Sequence, residues 1–519
     1  MFFVGNITNG VGQSEGITAT VQWFLLTLTS SLILIQFLQK RIKDGNLQEK
    51  SRRPIPGPGQ HFLGSLANIF ALRNPRTFVK VFEKWAAKYG PIYEVQFGPV
   101  PVTFLNSPQY LQKLLGSNDQ NHFSKGFAYE PLREYWKGGL IVSTGEKWKS
   151  RRKLLTKHMF KYSTLQSYMK IFNRESCHLL TTLEEMYKDG QSKPMEHEMM
   201  SFSLNVMTKV ALGLRLAEVD KIIGEIPNTD FLSLVNKTKE AMCTRILNPW
   251  LLFKPIWRLH PLSKLTEIAS VLGRRFVAES FKWVGNGADD DTGGLQHLLK
   301  NAGVELDGVY EESLTVISAG YETTASSLHF LLFFLALHPN HQEQCRQEID
   351  AVFEDVDFCS NSQSFIHYDA LTQLKHLEMC VSETLRLHPN AFLIMRKIEA
   401  ELELDEDLII PANTNVGIFI PGIHKNPELY PNPEEFIPER FLKEETSNRH
   451  PYAYIPFSAG PRKCIGYKFA IMEMMTATAK ILRHFHISTN SKIEEVVLLP
   501  HITLTPEKPM DFVLTKRKL

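Results

Sequence analysis

The sequence predicts one mainly α-helical domain with a minor β-sheet region, preceded by a single N-terminal transmembrane helix. Three observations predict it. Apolar residues recur at helical spacing through most of the chain, strand-like runs are few and short, and one early segment stays uncharged over a bilayer's length. Composition agrees. Hydrophobic residues make up 43% and charged residues 22% of 519, which is ordinary for a globular chain and wrong for a disordered, fibrous or multi-span one. Lys and Arg number 58 against 56 Asp and Glu, so nothing global points to nucleic acid.

Residues 17–38 carry no charge and are long enough to span a bilayer. A cleaved signal peptide would begin with basic residues, yet no Lys or Arg precedes Lys40. Lys40, Arg41, Lys43, Lys50, Arg52 and Arg53 follow the span, and Glu15 is the only charge before it. Positive charge stays cytosolic, so residues 1–16 form a short luminal N-terminus and the bulk of the chain is cytosolic. Asn6-Ile7-Thr8 is a glycosylation sequon on the luminal side. Residues 39–59 are basic and then proline-rich. Pro54-Ile55-Pro56-Gly57-Pro58-Gly59 excludes helix and reads equally as a stiff hinge or a plain linker.

Residues 60–519 form a single domain, because no linker divides them. Gly285 to Gly294 reads as a surface loop. The spacing predicts one helix from Asp369 to Leu387, stopped by Pro389, and a longer helix over roughly Val309 to Leu337, ended by His338-Pro339. The longer one is apolar on most faces and should cross the core. Strands are expected at Ile92–Phe97, Val102–Leu105, Leu408–Ile410 and Val416–Ile420. Six cysteines, at 177, 243, 345, 359, 380 and 464, form no disulfide framework and no CxxC pair.

The chemistry concentrates in Phe457-Ser458-Ala459-Gly460-Pro461-Arg462-Lys463-Cys464-Ile465-Gly466. Two glycines flank a cysteine just before a helical run, Tyr467 to Leu482. Glycine allows close approach of backbone to a flat ligand. The helix N-terminus and Arg462, Lys463 and Lys468 all favour thiolate at Cys464, which is then a nucleophile or a soft metal ligand. A second polar cluster, Ala319-Gly320-Tyr321-Glu322-Thr323-Thr324, interrupts the long apolar helix. An acid and two hydroxyls there need partners or a task. A Thr bonded back to a carbonyl would satisfy part of that need.

The cysteine decapeptide resembles the FxxGxRxCxG signature of the cytochrome P450 superfamily. Glu383-Thr384-Leu385-Arg386 matches its ExxR element, Pro438-Glu439-Arg440-Phe441 its PERF element, and Ala319 to Thr324 its AGxET segment. Trp148-Lys149-Ser150-Arg151-Arg152-Lys153-Leu154-Leu155-Thr156 looks most like the family 4 branch. The resemblance implies the P450 fold, and haem b ligated through its iron by Cys464, with Phe457, Gly460 and Gly466 shaping the loop. It implies Glu383, Arg386 and Arg440 as a buried structural ion network. Trp148, Arg152, Arg396 and Arg462 match positions that hold the haem propionates. Thr323 and Glu322 are the implied oxygen-activating alcohol and proton-relaying acid. Many family 4 members carry at position 319 a Glu that becomes ester-linked to haem. Ala319 has no carboxylate, so haem is expected to be held non-covalently, and the inference to terminal-carbon hydroxylation weakens.

The implied activity is an NADPH- and O2-dependent monooxygenase of the endoplasmic reticulum membrane, acting on fatty acids, lipids, hormones or foreign compounds. Electrons would come from NADPH-cytochrome P450 reductase through FAD and FMN, with cytochrome b5 as a further donor. Lys149, Arg151, Lys153, Lys157, Lys463 and Lys468 are candidates for the docking face. The expected cavity lies beside Ser313 to Thr324, walled by Phe123 to Trp136 and Asn390 to Leu393. Two other readings stand: a haem-thiolate peroxide isomerase or dehydratase, and a non-catalytic haem-binding protein. Relatives that rearrange peroxides typically lack the acid–Thr pair.

Overall fold

The structure, a computed structural model, describes residues 53–58, 68, 71–97, 100–122, 124–215, 217, 231–284, 294–353 and 365–518. The expected luminal segment, the anchor at 17–38, the loop after Gly285 and Phe123 lie outside these residues. Among the described residues no helix is long and apolar enough to cross a membrane. Two compact units are distinguished. Arg53, Pro54 and Glu403–Pro411 belong to one, with Arg53 reaching Asp405 at 3.9 Å; Ile55–Leu402 and Ala412–Leu519 make the other.

In the larger unit the helices that matter are α1 (Pro75–Tyr89), α2 (Pro108–Leu115), α3 (Glu130–Trp136), α4 (Gly145–His158), α5 (Tyr162–Met186), α6 (Glu196–Leu212), α7 (Phe231–Leu247), α8 (Leu262–Val284), α9 (Leu306–Leu337), α10 (Pro339–Val352), α11 (Lys375–Leu387) and α12 (Tyr467–His484). One five-stranded sheet uses β1 (Ile92–Phe97), β2 (Val100–Leu105), β3 (Ser124–Lys125), β4 (Leu393–Lys397) and β5 (Asn415–Phe419), in the order β1-β2-β5-β4-β3. The β2–β5 pair is parallel and the other pairs are antiparallel. The expected mainly helical fold with a minor sheet is what the chain adopts.

Local chemistry explains the boundaries. Asn74 and Ser107 each cap a helix by accepting a backbone N–H, and each cap is followed by proline, whose missing donor costs nothing in a first turn. α9 begins three residues before the expected Val309 and stops at His338-Pro339 as expected. Leu328, Phe330, Leu331, Leu332 and Phe333 on successive faces are all buried, so α9 does cross the core. Gly320 serves its packing. A Cβ there would meet the flexible end of the Met207 side chain of α6 at 2.5 Å, so a larger residue would have to displace that methionine.

The expected single helix from Asp369 to Leu387 is two. A short turn at Tyr368–Leu371 ends, and α11 restarts at Lys375. Glu348 of α10 takes the free N–H groups of His376 and Leu377 at 2.9 and 3.2 Å, which supplies an N-cap from another helix. No local pattern could reveal that partner. Within the larger unit, Pro56 O accepts from Glu94 N at 2.8 Å, and a Cβ on Gly57 would meet Glu94 O at 2.0 Å. Val416–Ile420 is shifted by one residue, since Ile420 opens a short helix, Ile420–His424.

Candidate active site

Cys464 sits in the turn before α12. The loop is pinned at both ends, with Cys464 N donating to Phe457 O at 2.9 Å and Ser458 N to Ile455 O at 2.9 Å. Ser458 and Gly460 take left-handed φ angles of 59° and 68°. Gly460 is required by its neighbour: a Cβ there would lie 1.6 Å from Leu115 O, at the end of α2. Leu115 O thus excludes a side chain at position 460 whatever the loop holds. At Gly466 φ is an ordinary −92°, and among the described residues an added Cβ would meet only Phe160, at 3.5 Å. The Cys464 side chain is accessible. Even so, the protein around the sulfur pushes its pKa up through desolvation, against pulls from the Gly466 N–H, Arg152 and Lys463. Burial and these pulls thus act on the thiol in opposite directions.

Behind the loop lies the brace. Arg386 grips Glu383 with two bonds of 2.7 Å, both side chains fully buried. Its remaining donors reach the carbonyls of His424 at 2.9 Å, Pro433 at 2.7 Å and Glu435 at 3.0 Å. Arg440 completes the network at 3.3 Å from Glu383, as the resemblance implied. His424 was missed. Its Nε2 accepts from Ile455 N at 2.9 Å, so its Nδ1 carries the proton and donates to Arg386 O at 3.2 Å. Burial pulls its pKa down to about 3, which keeps that tautomer neutral. One imidazole thus joins the Glu383–Arg386 pair to the root of the cysteine loop. A lone histidine after Pro-Gly gave no sequence signal of this.

Four cations converge nearby. Arg462 donates to Ser143 O at 2.6 Å and stacks 4.1 Å over the Trp148 ring. Arg396 of β4 is buried and hydrogen-bonds Tyr129, so it is no ordinary surface arginine. Lys125 of β3, opposite Arg396 in register, was missed by sequence reasoning. Desolvation, then Arg396, Arg462, Arg133 and Arg152, pull its pKa well below the usual lysine range. Desolvation and the same neighbours pull Arg462 down to about 9. Among the described residues Lys125, Arg152, Arg396 and Arg462 have no carboxylate partner. Mutually repelling, desolvated cations of this kind are stable only beside an anion from elsewhere.

The polar segment of α9 borders a cavity of about 280 Å³. Leu132 and Trp136 of α3, Ile246 of α7 and Phe392 give it an apolar wall, and Ser318 to Thr323 give it a polar one. Thr323 Oγ1 donates to Ala319 O at 2.8 Å, the back-bond expected of a threonine in mid-helix. The Thr323 carbonyl accepts from Ser327 Oγ and from Asn390 Nδ2, each at 2.9 Å. Glu322 is buried and paired: Lys239 Nζ of α7 lies 3.0 Å from Oε1, which also accepts from Thr503 Oγ1. The expected walls are present at Lys125 to Trp136 and Ala391 to Leu393. Sequence reasoning missed α7 and the turn at Pro500 to Thr503. Of the proposed docking cations, Lys149 pairs with Glu146 at 2.8 Å and Arg151 leans on buried Glu312 at 4.0 Å, while Lys153, Lys157 and Lys468 are exposed.

The cytochrome P450 family model matches residues 56–513. The chain belongs to the cytochrome P450 family. Membership implies haem and monooxygenase chemistry of the oxidoreductase class, with a redox partner and small-molecule substrates. Its P450 relatives are family 4 members. Cytochrome P450 4c21 of Blattella germanica is 29% identical, covering 95% of this chain and 99% of the relative. Human cytochrome P450 4V2 is 30% identical over 95% of each, and probable cytochrome P450 4p3 of Drosophila melanogaster is 31% identical over 96% and 98%.

Proposed function

We propose that this P450 is an NADPH- and O2-dependent monooxygenase that hydroxylates apolar small molecules such as fatty acids, other lipids, hormones or foreign compounds. The observation that carries it is one apolar cavity with an alcohol and an acid, Thr323 and Glu322, in a single wall. Residues 17–38 anchor it in the endoplasmic reticulum membrane, and the catalytic domain of residues 60–519 is cytosolic. NADPH-cytochrome P450 reductase supplies electrons through FAD and FMN, and cytochrome b5 is a second donor. Lys153, Lys157 and Lys468 are exposed cations suited to such acidic partners.

The residues fit haem b. Among the described residues, four desolvated cations without carboxylates match two propionates, and no contact explains the glycine at 466. When bound, the haem supplies one-electron and oxygen chemistry tuned by its thiolate ligand. Cys464 provides that ligand from a loop fixed by Phe457, Ile455 and the Leu115 contact. Arg152, Arg396, Arg462 and Lys125 neutralise the propionates, and Trp148 sets the plane of Arg462. Ala319 offers no ester bond, so haem is held by coordination and packing.

Thr323 and Glu322 manage protons. The Thr323 hydroxyl, parked on Ala319 O, turns to donate to a reacting oxygen. Glu322 moves a proton at its carboxylate, which Lys239 and Thr503 hold at the cavity wall. The apolar wall excludes water and binds a drug-sized apolar molecule. The test is NADPH consumption by the purified holoprotein with reductase, over fatty acids, sterols and terpenoids that shift the haem band. Product carrying one added oxygen is expected. Absence of substrate-dependent consumption by every such binder would overturn the proposal.

A further inference from the structure

Outside the haem loop, one cysteine differs from the others. Among the described residues Cys243, Cys345 and Cys380 are buried and Cys464 belongs to the candidate active site, whereas Cys177 of α5 is half-buried. Its sulfur faces a lysine. Lys480 of α12 is fully buried, and its Nζ lies 3.1 Å from Cys177 Sγ. Nζ also donates to Asn173 O at 3.3 Å, one helical turn before Cys177, so the amine is aimed by two contacts on the same face of α5. Asn173 is itself held by three hydrogen bonds. Its Nδ2 donates to Met169 O and Ile366 O at 2.8 and 2.9 Å, and its Oδ1 accepts from Ile366 N at 2.8 Å. A cation set against a thiol favours the thiolate, which is the form that peroxide oxidises. Neither Cys177 nor Lys480 lines the cavity, so the pair does not depend on what the cavity binds.

We propose that Cys177 and Lys480 form a redox-modification site, which hydrogen peroxide closes into a sulfenamide, a covalent N–S bond between α5 and α12. The Cys177 thiolate attacks peroxide. The O–O bond breaks, sulfur becomes sulfenic acid, and hydroxide departs. That hydroxide takes a proton from the Lys480 ammonium and becomes water. The freed amine lone pair attacks sulfur, the S–O bond breaks, and the displaced hydroxide leaves with an amine proton as a second water. Two electrons pass from sulfur to peroxide, and no other reactant is needed. Partial exposure of Cys177 admits the small oxidant from solvent. Burial of Lys480 keeps the nucleophile on the interior side, opposite the departing oxygen. The two residues are 303 positions apart, so the bond constrains the unfolded chain much as a long-loop disulfide does. A thiol reductant cleaves the N–S bond and restores both side chains.

The test treats the purified holoprotein with hydrogen peroxide in small molar excess, blocks the remaining thiols under denaturing conditions, and reads the peptides by mass spectrometry. Expected is a peptide pair joining Cys177 to Lys480, lighter than the sum of its parts by two hydrogens and separated again by dithiothreitol. Cys177→Ser alters a half-buried position with a near-isostere. It should fold, keep the carbon monoxide spectrum of the haem, and lose the linked pair. Lys480→Arg keeps a cation beside the sulfur but removes the amine. Its Cys177 should stop at sulfenic acid and be captured by dimedone. A parent whose Cys177 stays unmodified, or stops at dimedone-reactive sulfenic acid, would overturn the site. So would a linked pair that retains an oxygen atom, or a link from Cys177 that persists in Lys480→Arg.

Discussion

Lys239 Nζ stands 3.0 Å from Glu322 Oε1, so the acid beside Thr323 is clasped by a helix that no sequence motif marks. Both side chains are nearly buried, at 13% and 8% exposure. Removing one partner from such a pair leaves a charge that water cannot reach. Lys239→Met should cost about 3–5 kcal/mol of stability. Adding Glu322→Gln should restore most of it, because the double variant leaves no unpaired charge. Chemical unfolding of both single variants and the double one checks this; additive losses would mean that the pair is not coupled.

Thr323→Ala should keep haem and fold, since among the described residues the hydroxyl makes only a local back-bond to Ala319 O. The turn is also tied through the Thr323 carbonyl by Ser327 and Asn390, which the substitution leaves in place. Electrons should instead be lost as hydrogen peroxide, read as the ratio of peroxide formed to NADPH consumed. An unchanged ratio would remove Thr323 from proton handling.

The two loop glycines should fail differently. Gly460→Ala drives a methyl group into Leu115 O and demands a left-handed alanine, so the holoprotein should fold poorly. Gly466→Ala meets only Phe160 at contact distance. It should therefore fold, while holding less haem per mole of protein. Equal haem occupancy in Gly466→Ala and the parent would deny that haem accounts for this glycine.

Glu473 of α12 supplies a pH dependence. It is fully buried, with Ser203 Oγ donating to Oε1 at 2.6 Å and, among the described residues, no partner on Oε2. Desolvation raises its pKa from 4.5 to about 8. The folded state therefore holds a proton that the unfolded state has released between those values. Stability from this group is complete below about pH 4.5 and falls as pH climbs toward 8, by on the order of a few kcal/mol. Glu473→Gln should flatten that fall in a series of thermal melts from pH 5 to 9.

Sequence legibility followed locality. Cys464, Thr323, Glu383 and Arg386 belong to short motifs, and the elements bearing them obey simple rules of capping, proline and apolar spacing. Lys239, Thr503, Lys125 and His424 act through contacts made across the fold, by residue types that are common on any surface. Glu348 capping α11 is the same case for secondary structure: the break at 372–374 depends on a side chain 28 residues from the N–H that it accepts. Leu115, which excludes a side chain at position 460, is likewise remote in sequence.

The central claim is that Cys464 ligates haem through its sulfur, and the carbon monoxide spectrum of the reduced holoprotein tests it most directly. A thiolate-type absorption band is expected in the parent, with complete loss of that band in Cys464→Ala. A histidine-type band in the parent, or a thiolate-type band that survives Cys464→Ala, would contradict it.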